Sequence, residues 1–246
     1  MFRFEKYAII FSFTGLLALL SACSPQSGTV VDDPFERVNR GTHEFNKRLD
    51  RDILSPISKG YGNFMPDSVE DIVSNFSSNL SLPGKVVNNI LQLDMPAAVT
   101  NTTRFVINST LGLAGLFDPS DSVGLAGLDA DFGQTLQRWG AEEGAYIEIP
   151  LFGPSNVRDG IGLIVGMVLL DPASYVLKAP VSTYRTGSNV GAILQNRQTY
   201  GDQIDEILYG SADSYAQAQI VYLQNRRFKL KDSTRDAYID PYAEFE

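Results

Sequence analysis

The chain has 246 residues, 43% of them hydrophobic, enough for one domain with a proper core or for two small ones. It is acidic, with 20 Lys and Arg against 29 Asp and Glu and a formal net charge of −9. That balance argues against nucleic acid, whose binding rests on neutralising phosphates, and against a polybasic membrane contact.

Arg3 and Lys6 precede a short apolar run, Tyr7 to Leu20, which ends in Leu20-Ser21-Ala22-Cys23. The run is too short to span a bilayer comfortably, which takes about 20 apolar residues. It reads as an export signal, residues 1–22, cleaved before Cys23. Cys23 is the only cysteine, so it has no intrachain disulfide partner. Leu-Ser-Ala-Cys resembles the bacterial lipobox. The resemblance implies a diacylglyceryl thioether on Cys23 and acylation of the new amino terminus. Each buried CH₂ contributes about 0.8 kcal/mol, so two or three acyl chains hold a protein at the membrane. Ser24 stands where the enteric inner-membrane retention signal has Asp, which favours the outer membrane by analogy.

Residues 23–32 read as a lipidated polar tether, and 33–231 as one helical domain. Asp33 as a cap, Pro34 at the first helical position and Glu36 predict a helix start. Phe35, Val38, Phe45, Leu49 and Ile53 fall on one stripe, with Asn39 and Asn46 on a neighbouring face. Pro56 and Gly60 are expected to end this helix. A second helix is predicted over Asp67 to Leu80, a third from Pro83, and a fourth from about Ala97 to Asn108, capped by Asp94. From Leu111 to Asp131 glycines interleave with apolar residues, and the residues leave two readings open: a packed connection, or a flexible hairpin facing lipid or a channel.

Tyr146 to Ile149 alternates like a short strand, stopped by Pro150, Gly153 and Pro154. Ser155 is expected to cap a helix that includes the apolar segment Gly160 to Leu170, where Gly162 and Gly166 permit close helix packing. Further helices are expected over roughly Val190 to Tyr209 and Ala212 to Phe228. The second ends in Arg226, Arg227, Lys229 and Lys231, which either complement the helix dipole or meet lipid phosphates or an acidic partner. Residues 232–246 read as an acidic flexible tail. The fold class expected is mainly α, a bundle of short amphipathic helices with a glycine-rich loop and at most a small β element.

No catalytic set assembles from the sequence. His43, the only histidine, sits within the first helix and reads as a surface or capping-face residue. No Gly-x-Ser-x-Gly elbow is present, and one His and one Cys cannot make a metal site of those ligands. Asn75, Asn79, Asn101 and Asn108 begin Asn-x-Ser/Thr triplets, read as ordinary polar and capping residues.

The motifs together resemble the MlaA/VacJ lipoprotein family. They are Asp33-Pro34-Phe35-Glu36, Asn39-Arg40 and Phe45-Asn46, then Asn75-Phe76, Asn79-Leu80 and Arg104-Phe105, then Gly112. A last block holds Phe132-Gly133, Thr135-Leu136, Gly140, Tyr146, Pro150, Gly153-Pro154 and Arg158-Asp159. Gln137, Glu142, Glu143, Ala145 and Gln219 depart from the family's usual residues. The resemblance implies a helical ring in the inner leaflet of the outer membrane, moored by Cys23 and held by a trimeric porin. It implies an amphipathic channel that removes mislocalised phospholipid from the outer leaflet and passes it to the periplasmic carrier MlaC. It implies no enzyme activity, no cofactor and no metal. The alternatives are a porin-associated structural lipoprotein without a lipid path, and a phospholipid hydrolase.

Cys23→Ser is expected to leave the exported protein without acyl chains and to move it from the membrane to the soluble fraction. Intact-mass measurement and fractionation check this.

Overall fold

The computed structural model describes residues 33–168 and 181–230. The export signal, Cys23, the tether, the Asp171-Pro172 turn, Lys231 and the tail lie outside the described residues. The described chain is mainly helical. In order it runs α1 (Glu36–Leu49), a π-helical turn (Asp50–Leu54), α2 (Ser55–Phe64), α3 (Asp67–Leu91), α4 (Met95–Thr110), the single turn α5 (Pro119–Ser122) and α6 (Phe132–Arg138). Strands β1 (Tyr146–Ile149) and β2 (Gly153–Asn156) come next, then α7 (Val157–Val168), α8 (Val181–Thr199), α9 (Gly201–Asp205), a second π turn (Glu206–Gly210) and α10 (Ser214–Leu230). No described helix is long and apolar enough to cross a membrane.

Two prolines expected to break helices do not. Pro56 is the second residue of α2, where its fixed φ suits a helix and the helix continues with one backbone N–H fewer. The chain therefore passes from α1 through the π turn into α2 without stopping. Pro83 lies inside α3, so the second and third expected helices are one helix of 25 residues. The fourth helix starts as expected, with the Asp94 carboxylate accepting from the Ala97 N–H at 3.1 Å. The first start is shifted: Asp33 lies two residues before the cap position, Phe35, and accepts from the Phe35 N–H at 3.0 Å.

The strand at Tyr146 exists and pairs antiparallel with β2, Tyr146 opposite Asn156 and Ile149 opposite Gly153. Gly153 and Pro154, expected to stop the strand, instead begin its partner. Tyr146 and Glu148 form the buried face of β1, not the two isoleucines. The cap of α7 is Asn156, whose side-chain oxygen accepts from the Asp159 N–H at 2.8 Å, one residue after the expected Ser155.

Helices α3, α4 and α8 pack side by side, α8 also packs on α2, and α6 packs on α7. The α6–α7 contact depends on glycine. A Cβ on Gly162 would lie 2.5 Å from the Gly133 backbone nitrogen. A Cβ on Gly166 would meet nothing within 4 Å, so only the first of the two expected packing glycines is in a contact. The outward side of α7 exposes Ile164 and Met167.

Hydrophobic residues do not dominate the interior. Among the described residues eight hydrophobic side chains are buried against twenty-two polar or charged ones. The only clustered apolar core among them is Tyr146, Tyr215 and Leu223, with Tyr222 against it. The stripe of α1 shows the inversion: Val38 is 68% exposed, whereas Asn39 and His43 are buried.

Gly162→Ala should cost about 1–3 kcal/mol by overpacking, whereas Gly166→Ala should be neutral or stabilise by up to about 1 kcal/mol through helix propensity. Paired chemical denaturation curves check the contrast.

Candidate functional site

The polar interior consists of asparagine side chains that bond backbone, joined by arginine–carboxylate pairs. On α1, Asn39 and Asn46 lie seven residues apart and face the hairpin. The Asn39 amide donates to the Tyr146 carbonyl at 3.1 Å and accepts from the Glu148 N–H at 2.9 Å. Asn46 donates to the Ile149 carbonyl at 3.1 Å and accepts from the Leu151 N–H at 2.8 Å. Each carboxamide thus supplies the donor and acceptor that a neighbouring strand would have supplied.

The same spacing recurs on α4. Asn101 donates to the Leu128 carbonyl at 2.9 Å and accepts from the Leu128 N–H at 3.3 Å. Asn108 donates to Asp118 at 2.9 Å and accepts from the Ser120 N–H at 3.2 Å. Between them Arg104 donates to the Leu125 carbonyl and to Asp118. The glycine-rich stretch is therefore a connection gripped at three points by one helix face. It still presents Leu113, Phe117 and Val123 outward. Gly112 is required at its start, because a Cβ there would lie 2.3 Å from the Phe117 carbonyl oxygen.

Four further arginines tie distant elements. Arg226 on α10 donates to Asp131 at 2.7 and 2.8 Å and to Asp159 at 2.8 and 2.9 Å. Asp131 also closes the capping box of α6 with Gln134. Arg227 pairs with Glu143 at 3.0 Å. Arg226 and Arg227, two of the four cations at this helix end, are thus engaged in internal ion pairs. Buried Arg197 on α8 holds Asp50 at 2.7 and 2.9 Å, and the Tyr209 hydroxyl donates to the same carboxylate at 2.8 Å. Arg40 grips Asp213 at 3.0 and 2.9 Å and lies over the Tyr215 ring, 4.5 Å from its centroid.

His43 is not at the surface. It is 2% exposed, with Nδ1 2.9 Å from Glu148 Oε1 and Nε2 3.0 Å from Ser214 Oγ. The reason is that α1 turns its polar face inward. Burial and then the Glu148 charge push the Tyr146 hydroxyl far up, so it stays protonated and donates to Glu148 at 3.2 Å. The Ser–His–Glu order resembles a nucleophile triad. Ser214 Oγ, however, also accepts from Lys47 Nζ at 3.2 Å. The first-turn N–H of Ala216 is spent on Asp213 at 3.1 Å, which removes a candidate oxyanion donor. The chain ties α1, β1 and α10 together.

The residues singled out in the sequence fall into separate clusters. Asp33, Asn39, Arg40 and Tyr146 share one, where Asp33 accepts from the Tyr215 hydroxyl and from Gln219. Gly133 and Asp159 share a second around Arg226, with Arg158 bonded to Asp159 at 3.3 Å. Arg104 and Gly112 lie in the third, with Asn79 beside it bonding Ser109 at 3.1 Å and Asn75 reaching the Leu116 carbonyl at 3.5 Å. Thr135 is fully buried and bonds Asn88 at 2.9 Å. The rings of Phe132 and Trp139 meet edge to face. Phe76, Leu80, Phe105, Leu136 and Pro154 are half-buried, while Pro34, Phe45, Gly140 and Pro150 are exposed. Gly140 and Gly153 take positive φ, 92° and 81°. Asp50, Asn88, Asn101, Glu148, Arg197, Ser214 and Arg226 were not singled out as site residues. The seven-residue asparagine spacing, noted on α1, recurs at Asn101 and Asn108 and would have found that pair.

The architecture defines a helical protein with its polar side chains turned inward and its large apolar side chains turned outward. The chain belongs to the MlaA lipoprotein family, whose model matches residues 31–229. It is 28% identical over 231 residues to the Haemophilus influenzae intermembrane phospholipid transport system lipoprotein MlaA, covering 89% of this chain and 91% of that one. An Escherichia coli K12 protein of the same name is 28% identical over 230 residues, covering 90% and 86%. An uncharacterized protein of Rickettsia felis is 39% identical over 145 residues, and the match spans 58% of that relative's length. A solved structure concerned with the structural basis for maintenance of bacterial outer membrane lipid asymmetry superposes with a TM-score of 0.66 at 28% identity, covering 81% of this chain and 99% of that one.

Arg226→Met should cost about 1–3 kcal/mol, because Asp131 and Asp159 lose a shared charged donor, whereas Arg51→Ala, at an exposed pair, should leave stability essentially unchanged. Stability should also fall in acid. Burial pushes Asp118 and Asp159 up, but bonds from Ser120, Asn108 and the Asp121 N–H, aided by Arg104, outweigh it at Asp118. Arg226 does the same at Asp159, so both carboxyls end below their ordinary range. Arg40 holds Asp213 down to about 2. Their contribution is fully present above the unfolded carboxylate value of about 3.9 and is lost as pH falls through the lower folded values. Denaturation midpoints from pH 7 to pH 2 check this, and Asp118→Asn should flatten part of the fall.

Proposed function

We propose that the protein is a lipid-anchored component of intermembrane phospholipid transport at the outer membrane of a Gram-negative bacterium. It removes mislocalised phospholipid from the outer leaflet, seated beside a trimeric porin, and passes it to a periplasmic carrier such as MlaC. The acylated Cys23 moors it on the periplasmic side.

The observation that carries this reading is the inverted distribution of side chains. Phe64 and Leu93 are 89% and 81% exposed, while asparagine, serine and arginine dominate the buried positions. Water favours the opposite arrangement, at about 25 cal/mol per Å² of apolar surface. A lipid exterior removes that cost. A phospholipid needs an apolar surface for its tails and a polar one for its head, and both are present here. The names of the Haemophilus and Escherichia relatives agree with this reading.

The gripped loop has its own place in it. The stretch from Leu111 to Asp131 acts as a gate when Asn101, Arg104 and Asn108 release it. The Ile164–Met167 side of α7 meets lipid or the porin.

A hydrolase reading draws on the Ser214–His43–Glu148 chain alone. Loss of a measured lipase activity in His43→Ala would favour it.

Deleting the gene should raise outer-leaflet phospholipid, and the wild-type gene should restore it; unchanged levels with and without the gene would overturn the transport reading. A disulfide tethering the 113–117 segment to α3 should block transfer while leaving the protein folded, read by lipid exchange before and after reduction.

A further inference from the structure

Five buried side-chain polar atoms among the described residues have no hydrogen-bond partner, and two of them share one seam. These are the Tyr61 hydroxyl on α2 and Glu70 Oε1 on α3. Glu70 is 7% exposed. The Tyr61 hydroxyl faces α8 at Gly191, where a Cβ would sit 3.6 Å from it and 2.6 Å from Val73 Cγ1, and Val73 lies one turn beyond Glu70 on α3. Burial first, then the Glu70 charge, pushes the Tyr61 hydroxyl up, so the phenol is neutral and the carboxylate faces it.

A buried carboxylate oxygen without a donor is costly. Lys59 on α2 and Arg197 on α8 pair with Asp205 and with Asp50. Gln198, exposed and flexible, lies against Gly62 beside Tyr61. The stretch of chain around Tyr61 and Glu70, residues 61–71, is apolar and acidic at once. Phe64, Met65 and Val69 are exposed there, and so are Asp67 and Asp71. An acidic seam under an apolar rim has the chemistry to receive an amphiphile with a cationic head. No group of three acidic, His or Cys residues able to hold a metal ion lies among the described residues.

We propose that Glu70 and Tyr61 form a recognition site for a primary ammonium group, and that its source is the phosphoethanolamine head of a phospholipid. The ammonium donates to Glu70 Oε1 and to the Tyr61 oxygen, the two atoms that lack donors. A quaternary choline head has no N–H to give, and a glycerol head has no positive charge. The phospholipid source rests on the transport reading above; the ammonium chemistry does not.

The test uses the full-length acylated protein in detergent, equilibrated with vesicles of equal phosphatidylethanolamine and phosphatidylglycerol, with bound lipid read by native mass spectrometry. The wild type should carry mostly phosphatidylethanolamine. Glu70→Gln should lower that preference by about tenfold, the scale of one charged hydrogen bond, with total bound lipid unchanged. Tyr61→Phe should move it the same way by less. Vesicles of phosphatidylcholine should load poorly. If both variants fold and keep the wild-type ratio, the proposal is overturned and the pair holds a structural water only. If Glu70→Gln fails to fold, Tyr61→Phe decides. If the wild type carries no lipid, the transport reading fails with the lipid source. Free ethanolamine raising the melting temperature of the wild type and not of Tyr61→Phe then supports the ammonium site, and no rise overturns it.

Discussion

Side-chain amides take the place of secondary structure where this fold turns. A short hairpin and a long connection both need partners for their buried N–H and C=O groups, because unpaired ones are costly. Among the described residues no third strand supplies them. Asn39 and Asn46 do so for Tyr146 to Leu151, and Asn101 and Asn108 do so from Asp118 to Leu128. Two helix turns carry a contact from one end of a segment to the other, and that sets the seven-residue spacing. A shorter or longer amide side chain would misplace both bonds at once.

The arginines then join what the amides have shaped. Arg226 joins the cap of α6 to the first turn of α7, and Arg197 joins α8 to the junction after α1. A protein with so few buried aliphatic side chains gains little from an oily centre. Its cohesion comes from directional contacts, which fix one geometry more strictly than apolar packing does. Such an interior tolerates an apolar surround, because the outward faces are free to match lipid. That division of labour is the link between the family's fold and the lipid handling proposed for it.

Much of the helical outline was legible. Asp94 with Pro96 marks α4 because a carboxylate cap and an early proline are local signals. The π turns were not, because their cause is tertiary: the Asp50–Arg197 pair spans 147 positions. Pro56 and Pro83 misled for a related reason, since neighbours can support a helix that lacks one backbone bond. The family motifs marked residues without saying what they do. Asn39, Arg104 and Asp159 build the interior, yet their partners Glu148, Asp118 and Arg226 lie far along the chain. His43 misled most, because an apolar stripe ordinarily marks the inside of a helix and here it marks the outside.

The five-residue π turn after α1 sets the rotational phase of α2. Inward residues step 39, 43, 46, 50 and then 55 and 58, with Ser55 and Ser58 both buried. The stride of five from Asp50 to Ser55 is one residue more than an α-helix allows. It keeps the hydrophilic seam continuous across the join. The same residues wound as a regular α-helix would swing α2 by about 100° about its axis. Ile57 would then turn toward the seam and the serines away from it. The irregularity therefore works as a spacer that absorbs one extra residue, and a single deletion there would restore the ordinary stride of four with Ser55 and Ser58 still inward.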